Sequence, residues 1–318
     1  MRILISEFMD APAVDALRQR FDVRYAPDLV ERRDALLDAV READGLIVRN
    51  RSRVDAALLG AAPRLRAVGR LGVGLDNIDL DGCAARGIAV VPATGANARA
   101  VAEYVIGTLL ALLRGAYCST AAVAAGQWPR NALSQGLEAQ DRTLGIVGFG
   151  GIGRLAARLA RGLDMRVVGC DAALPPDHPA WAESGVAPLP LEALLAQADA
   201  VTLHLPLTPG TRGLLDAGRI ALMRPGAVLV NTSRGGIVDE AALADALRAG
   251  RLRGAALDVF DEEPLPAGGP LADAPNLILT PHIAGLTQEA NTRVSDMVAA
   301  GVTIALTGGA ADSAASAP

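Results

Sequence analysis

Short apolar runs alternate along the chain with stretches whose apolar positions recur at helical spacing. In the first third, Ile3–Ile5, Gly45–Val48, Arg66–Gly69 and Ile88–Val91 read as short buried strands, with helices predicted at Ala11–Arg20 and Arg33–Ala43. Strands that are apolar throughout, separated by helices, belong to parallel sheets covered on both faces. A long apolar helix is predicted over Ala98–Arg114. From Thr143 a second series begins, with strands at Leu144–Val147, Arg166–Gly169, Ala200–Leu203, Ala227–Val230, Gly254–Leu257 and Leu277–Leu279. Helices at Arg154–Gly162 and Glu240–Ala249 fit between them. The expected class is α/β, with two doubly wound parallel-sheet domains. Helical patterning returns after Pro281, so the first domain is expected to be discontinuous. Residues 1–97 are completed by 287–318, and 98–286 form the second domain. From Gly308 onward the chain is Ala-, Ser-, Gly- and Pro-rich, and a disordered tail is expected.

Composition narrows the chemistry. Of 318 residues, 51% are hydrophobic but only 3% aromatic, so the core must be built from Ala, Val, Leu and Ile. The net charge is −5 and no polybasic run occurs, which gives no footprint for nucleic acid. All 30 basic residues are Arg. The absence of Lys excludes Schiff-base chemistry and a Walker-type phosphate lysine. Cys83, Cys118 and Cys170 lie far apart, with neither metal-ligand nor disulfide spacing, and are expected to be buried and reduced. The start, Met1–Ile5, is too short for a signal-peptide core, and no apolar stretch reaches the roughly 20 residues of a membrane span. A soluble, cytoplasmic protein is expected.

Gly148-Phe149-Gly150-Gly151-Ile152-Gly153 follows a predicted strand and opens a predicted helix. In that context the glycines permit a tight turn, approach to a diphosphate and close helix–strand packing. Asp171 ends the next strand, where a carboxylate accepts hydrogen bonds from ribose hydroxyls. It would repel a 2′-phosphate, and Ala172, Ala173 and Leu174 offer no Arg to receive one, so NAD is favoured over NADP. Of the three histidines, His178 sits in a Pro-rich surface segment, whereas His204 and His282 follow strands, at the sheet edge where ligands bind. Arg234, in Asn231–Gly236, also follows a strand and can grip a carboxylate with two parallel hydrogen bonds. Asp258 is placed likewise, and Glu262 and Glu263 come shortly after it. A carboxylate paired with a His orients the ring and favours its protonated form.

These segments, with Val68–Asp79, His204–Leu215, Asn231–Glu240, Ala255–Pro264 and Pro281-His282, resemble the D-isomer-specific 2-hydroxyacid dehydrogenase family, above all its D-3-phosphoglycerate dehydrogenase branch. The resemblance implies a Rossmann NAD-binding domain and a flavodoxin-like substrate domain. It implies hydride transfer between NAD(H) and C2 of a small 2-hydroxy or 2-keto acid. Arg234 would bind the carboxylate and polarise the C2 carbonyl, His282 would serve as general acid or base, and Glu263 would pair with His282. Gly148, Gly150, Gly151, Ile152, Gly153, Asp171, His204, Pro206, Ser233, Asp258 and Gly285 match cofactor positions. Arg49, Asn50, Val73, Gly74 and Asn97 match first-domain positions near the substrate or nicotinamide. Relatives dimerise through the long helix and the following arm, Ala116 to Arg142, so a homodimer is expected, with domains that close over substrate. Many relatives have Gly-Ala-x-Thr after the His, whereas here Ile283-Ala284-Gly285-Leu286-Thr287 shifts the glycine. The chain ends at 318, so feedback through an appended regulatory domain is not expected. Arg49, Arg51, Arg53 and Arg70 suit a substrate with a second anion, of phosphoglycerate or sulfolactate type, with glycerate/hydroxypyruvate as the rival. Formate dehydrogenases place Gln where Glu263 stands. A non-catalytic NAD-sensing corepressor is the reading from another class, opposed by the intact Arg–Glu–His set.

Overall fold

The structure is a computed structural model that describes residues 1–308. It divides into two compact units, Met1–Asn97 joined by the segment from Leu286 onward, and Ala98–Gly285. In chain order the first unit holds β1 (Arg2–Ile5), α1 (Ala11–Arg18), β2 (Asp22–Tyr25), α2 (Arg33–Ala39), β3 (Gly45–Val48), α3 (Ala56–Ala61), β4 (Ala67–Arg70), α4 (Leu80–Ala85) and β5 (Ala89–Pro92). The second holds α5 (Ala98–Arg114), α6 (Thr120–Ala124), β6 (Thr143–Val147), α7 (Gly151–Arg161), β7 (Arg166–Cys170), α8 (Pro179–Ser184) and β8 (Ala187–Pro188). It continues with α9 (Leu191–Gln197), β9 (Ala200–Leu203), α10 (Ala217–Leu222), β10 (Val228–Asn231), α11 (Glu240–Arg248), β11 (Gly254–Leu257) and β12 (Leu277–Leu279). Helix α12 (Gln288–Thr307) returns to the first unit.

The first sheet runs β2-β1-β3-β4-β5, all parallel, which is the flavodoxin-like order. Successive side chains of a strand point to opposite faces, and β1 divides its residues accordingly. Ile3 and Ile5 join Ile47, Ala67 and the α12 residues Val294, Val298, Val302 and Leu306 on one face. Leu4 joins Leu46, Val48, Val68, Leu36, Leu58 and Leu59 on the other. A Cβ added to Gly69 would lie 2.6 Å from Val298 Cγ1, and one added to Gly301 would lie 2.4 Å from Val91 Cγ1. Helix α12 therefore seats at backbone distance on β4 and β5.

The second sheet runs β8-β7-β6-β9-β10-β11-β12, also parallel. The order reverses between β6 and β9, and that crevice is where doubly wound sheets bind ligands. Leu144 and Ile146 face α5 and α7, while Val147, Leu203, Leu229 and Leu257 pack towards α9 and α11.

The structure differs from the sequence reading in several places. Helix α7 starts at Gly151, so Gly151 and Gly153 belong to its first turn. Strand β2 escaped because Asp22-Val23-Arg24-Tyr25 alternates polar and apolar at an edge, and β8 because it is two residues long. Cys83 is buried but Cys170 is only half-buried. The Cys118 side chain and the tail beyond residue 308 lie outside the described residues. Among the described residues, no helix is long and apolar enough to cross a membrane.

Candidate active site

The glycine loop is shaped by three close approaches. Gly148 has φ +95°, and a Cβ there would lie 2.3 Å from the His204 carbonyl oxygen. A Cβ on Gly153 would lie 2.3 Å from the Gly148 oxygen. The Phe149 side chain is buried and stacks on Trp181 at 4.4 Å between ring centres, which pins the loop into the core. By contrast, a Cβ on Gly150 or Gly151 would meet nothing within 4 Å. Helix α7 begins there with no side-chain cap, so its first N–H groups are left to an anion. Asp171 Oδ2 accepts from the Phe149 N–H at 2.7 Å and Oδ1 from the Ala173 N–H at 2.8 Å. The carboxylate thus braces the loop and keeps acceptor capacity for hydroxyls. These bare glycines, the open helix end and the braced carboxylate fit a dinucleotide. His204 Nε2 lies 3.2 Å from Thr202 Oγ1, and burial pushes its imidazole down to about 4, so the ring is neutral at neutral pH. The Pro206 carbonyl accepts from Thr211 Oγ1 at 2.7 Å, closing the loop after β9.

The segments after β10, β11 and β12 carry the candidate acid–base groups. Asn231 Oδ1 accepts from the Ser233 N–H at 3.0 Å and the Ser233 hydroxyl at 2.7 Å, and its Nδ2 donates to the Arg234 carbonyl at 2.9 Å. That clamp sets the Arg234 loop. A Cβ on Gly235 would sit 1.8 Å from the Phe260 oxygen, so this loop packs directly on the one bearing Glu263. Glu263 Oε1 accepts from the Phe260 N–H at 3.1 Å, and Oε2 lies 2.8 Å from His282 Nδ1. Burial would raise the Glu263 pKa. The hydrogen bond and charge of His282, the Phe260 N–H and the Arg234 charge together outweigh it and hold the carboxyl below the usual glutamate range. Asp258 is buried, and its carboxylate receives three donors from the turn that carries His282. Gly285 is half-buried at the end of that turn. The Thr232 hydroxyl is buried with no hydrogen-bond partner among the described residues, an orphan beside Ser233 and Arg234.

In the first unit Glu7, two residues past the end of β1, organises the Arg49–Arg53 loop. Its Oε1 accepts from the N–H groups of Arg49 at 2.7 Å and Ser52 at 2.9 Å, and its Oε2 accepts from Arg51 N–H at 3.2 Å. Asn77 Nδ2 donates to the carbonyls of Arg49 and Ser52. Arg49 Nη2 donates to Asn291 Oδ1 at 2.6 Å, and the guanidinium lies 5.8 Å from the centre of the Phe8 ring. Arg51 pairs with Glu31 at 2.6 Å and the Arg70 Nη1 donates to the Leu71 carbonyl, so the guanidiniums do not all gather in one place. Asn50 and Val73 are exposed, Gly74 is half-buried, and the Asn97 amide oxygen is buried without a partner among the described residues. The sequence reading missed Glu7 and Asn77. Glu7 lies two residues past the end of β1, so the same strand-end argument that found Arg234 would have found it. His178 is not idle either, because its Nδ1 accepts from the Ala180 N–H and caps α8.

Residues 106–284 match the family described as D-isomer specific 2-hydroxyacid dehydrogenase, NAD binding domain. The chain is 54% identical over 293 residues to an (S)-sulfolactate dehydrogenase from Chromohalobacter salexigens, a match covering 92% of this chain and 94% of that protein. It is 42% identical over 308 residues to a D-3-phosphoglycerate dehydrogenase from Mycobacterium bovis, covering 96% of this chain but 57% of that longer protein. Among solved structures, a protein from Thermus thermophilus superposes with a TM-score of 0.87 at 37% identity, covering 97% of each chain. A D-lactate dehydrogenase from Aquifex aeolicus, complexed with NAD and lactic acid, gives 0.84 at 27% identity, covering 97% of this chain and 96% of that one.

Proposed function

Since the chain belongs to the D-isomer-specific 2-hydroxyacid dehydrogenase family, and is thereby an NAD-dependent oxidoreductase of 2-hydroxy acids, we propose that its substrate pair is (S)-sulfolactate and sulfopyruvate. The 2.8 Å contact of Glu263 with His282, inside the field of Arg234, carries the chemistry. The 54% identity to a sulfolactate dehydrogenase supports the substrate.

The stereochemical label is consistent with the family. Sulfur outranks oxygen in the naming rules, so replacing the lactate methyl by a sulfomethyl group exchanges the priorities of the two carbon substituents. An (S)-sulfolactate therefore has the spatial arrangement of a D-2-hydroxy acid.

Gly148, Gly150, Gly151, Ile152 and Gly153 would hold the cofactor diphosphate, Asp171 the ribose hydroxyls, and His204, Pro206, Ser233, Asp258 and Gly285 the remainder. Bound NAD supplies the hydride acceptor, and NADH the donor. Arg234 binds the substrate carboxylate with paired N–H groups and draws electron density from the C2 oxygen. His282 Nδ1 donates to Glu263, which leaves Nε2 to give a proton to that oxygen in reduction and take it back in oxidation. We assign Arg49 to the sulfonate, and Asn50, Val73, Gly74 and Asn97 to the rest of the substrate side.

The test is a panel of sulfopyruvate, phosphohydroxypyruvate, hydroxypyruvate and pyruvate with NADH. Sulfopyruvate should exceed hydroxypyruvate and pyruvate in kcat/KM by about tenfold or more, because a site built for a second anion loses that contact with the smaller acids, and it should also exceed phosphohydroxypyruvate. A higher value for phosphohydroxypyruvate or for hydroxypyruvate would overturn the substrate. We further propose a cytoplasmic homodimer. The free thiols of Cys83 and Cys170 support the compartment. Exposed Tyr117, Val123 and Trp128 on the arm after α5 support the association.

A further inference from the structure

His282 stands in the left-handed region, at φ +55°, a conformation that costs a non-glycine residue energy and persists only where its surroundings impose it. What imposes it is Asp258. The Asp258 carbonyl accepts from the His282 N–H at 2.8 Å. Its Oδ1 accepts from the Thr280 hydroxyl at 2.6 Å and from the Ile283 N–H at 2.8 Å, and its Oδ2 from the Ala284 N–H at 2.8 Å. The carboxylate thus grips the turn on both sides of His282. Of these carboxylate contacts, the one from Thr280 is the one that precedes His282. The Thr280 hydroxyl has one proton, committed to Asp258, so the Tyr104 hydroxyl 2.6 Å away must donate to it. Burial raises the Tyr104 pKa, which keeps that proton in place.

We infer that Tyr104 and Thr280 are positioning residues for the reaction, forming with Asp258 a directed hydrogen-bond chain from α5 to the turn that aims His282 at its proton. The inference rests on His282 being the acid–base group. Neither Tyr104 nor Thr280 need touch the reacting atoms or the cofactor, since they act through Asp258 and the backbone of residues 280–284. Thr280→Val removes the proton-bearing link to Asp258, and Tyr104→Phe removes its second anchor.

The experiment compares Thr280→Val, Thr280→Ser, Tyr104→Phe and His282→Ala in steady-state reduction, with NADH affinity measured separately by cofactor fluorescence. A misaimed catalytic group loses rate and not binding, so Thr280→Val should lower kcat by about 10- to 100-fold. Tyr104→Phe should lower it by about 3- to 10-fold, with KM and NADH Kd within about twofold of wild type in both. Thr280→Ser should restore nearly full kcat. If Thr280→Val fails to fold, the milder Tyr104→Phe decides. The inference is overturned if Tyr104→Phe and Thr280→Val keep wild-type kcat while His282→Ala abolishes turnover. It is also overturned if Thr280→Ser is as poor as Thr280→Val, or if kcat falls only in step with NADH affinity. An active His282→Ala would instead overturn the catalytic reading beneath it.

Discussion

In the proposed reaction the charge of Glu263 serves both chemistry and stability. Its depressed pKa means that ionised Glu263 contributes stability above the ordinary glutamate value of 4.5, and that this contribution is lost as the pH falls through the lower folded value. The side chains of the pair are 33% and 37% exposed, so solvent screening keeps the contribution small. The Tm deficit of Glu263→Gln relative to wild type should therefore be at its full size above the ordinary value of 4.5 and shrink as the pH falls below it. In catalysis the same variant should show a lower kcat, because the charge that holds the His282 ring through Nδ1 is gone. An unchanged kcat, or one lowered by Glu262→Gln instead, would overturn the pairing of Glu263 with His282 in catalysis. His282→Ala should cost about 10²–10⁴ in kcat, whereas His178→Ala should leave turnover unchanged and only loosen the cap of α8. Asp171 braces Phe149 and Ala173, and in the proposed cofactor site it would also repel a 2′-phosphate. Asp171→Asn should then narrow the preference for NADH over NADPH while weakening NADH, as read from the two kcat/KM values.

Backbone proximity rather than side-chain identity limits what the elements tolerate. Gly148→Ala would bring a methyl group against the His204 carbonyl in a backbone conformation an L side chain resists. NADH affinity should fall sharply in that variant while far-UV circular dichroism stays native. Gly69→Val should lift α12 from β4 and destabilise the first unit by about 1–3 kcal/mol in denaturant titration. The pattern of apolar runs made most strands legible, because those strands are buried on both faces and need no polar alternation. It could not reveal β2, whose edge position permits a half-polar sequence, nor the true start of α7, since glycine has low helix propensity and only tertiary contact decides where the helix begins. Arg234, Glu263 and His282 were nameable because each follows a strand or falls in a recognisable segment. The supports were not. Asn77, Thr280 and Tyr104 act through hydrogen bonds spanning dozens of positions, which no local spacing encodes.

At the scale of the molecule, the proposed dimer has an optical handle. Trp181 is 3% exposed and stacked on Phe149, whereas Trp128 is 77% exposed on the arm. If a second copy covers the arm, dilution to monomer should red-shift tryptophan emission, and Trp128→Phe should abolish the shift. Light scattering that finds a monomer at micromolar concentration would count against the dimer. The path of the chain has a further effect during its own synthesis. The second unit is one uninterrupted stretch, while the first is opened after Asn97 and closed only by α12. On the ribosome, β1 to β5 emerge long before the helix that covers Ile3, Ile5, Ile47 and Ala67. A nascent chain arrested before Gln288 should therefore carry one protease-resistant fold and one bare apolar face, and it is in this interval that chaperones should hold it.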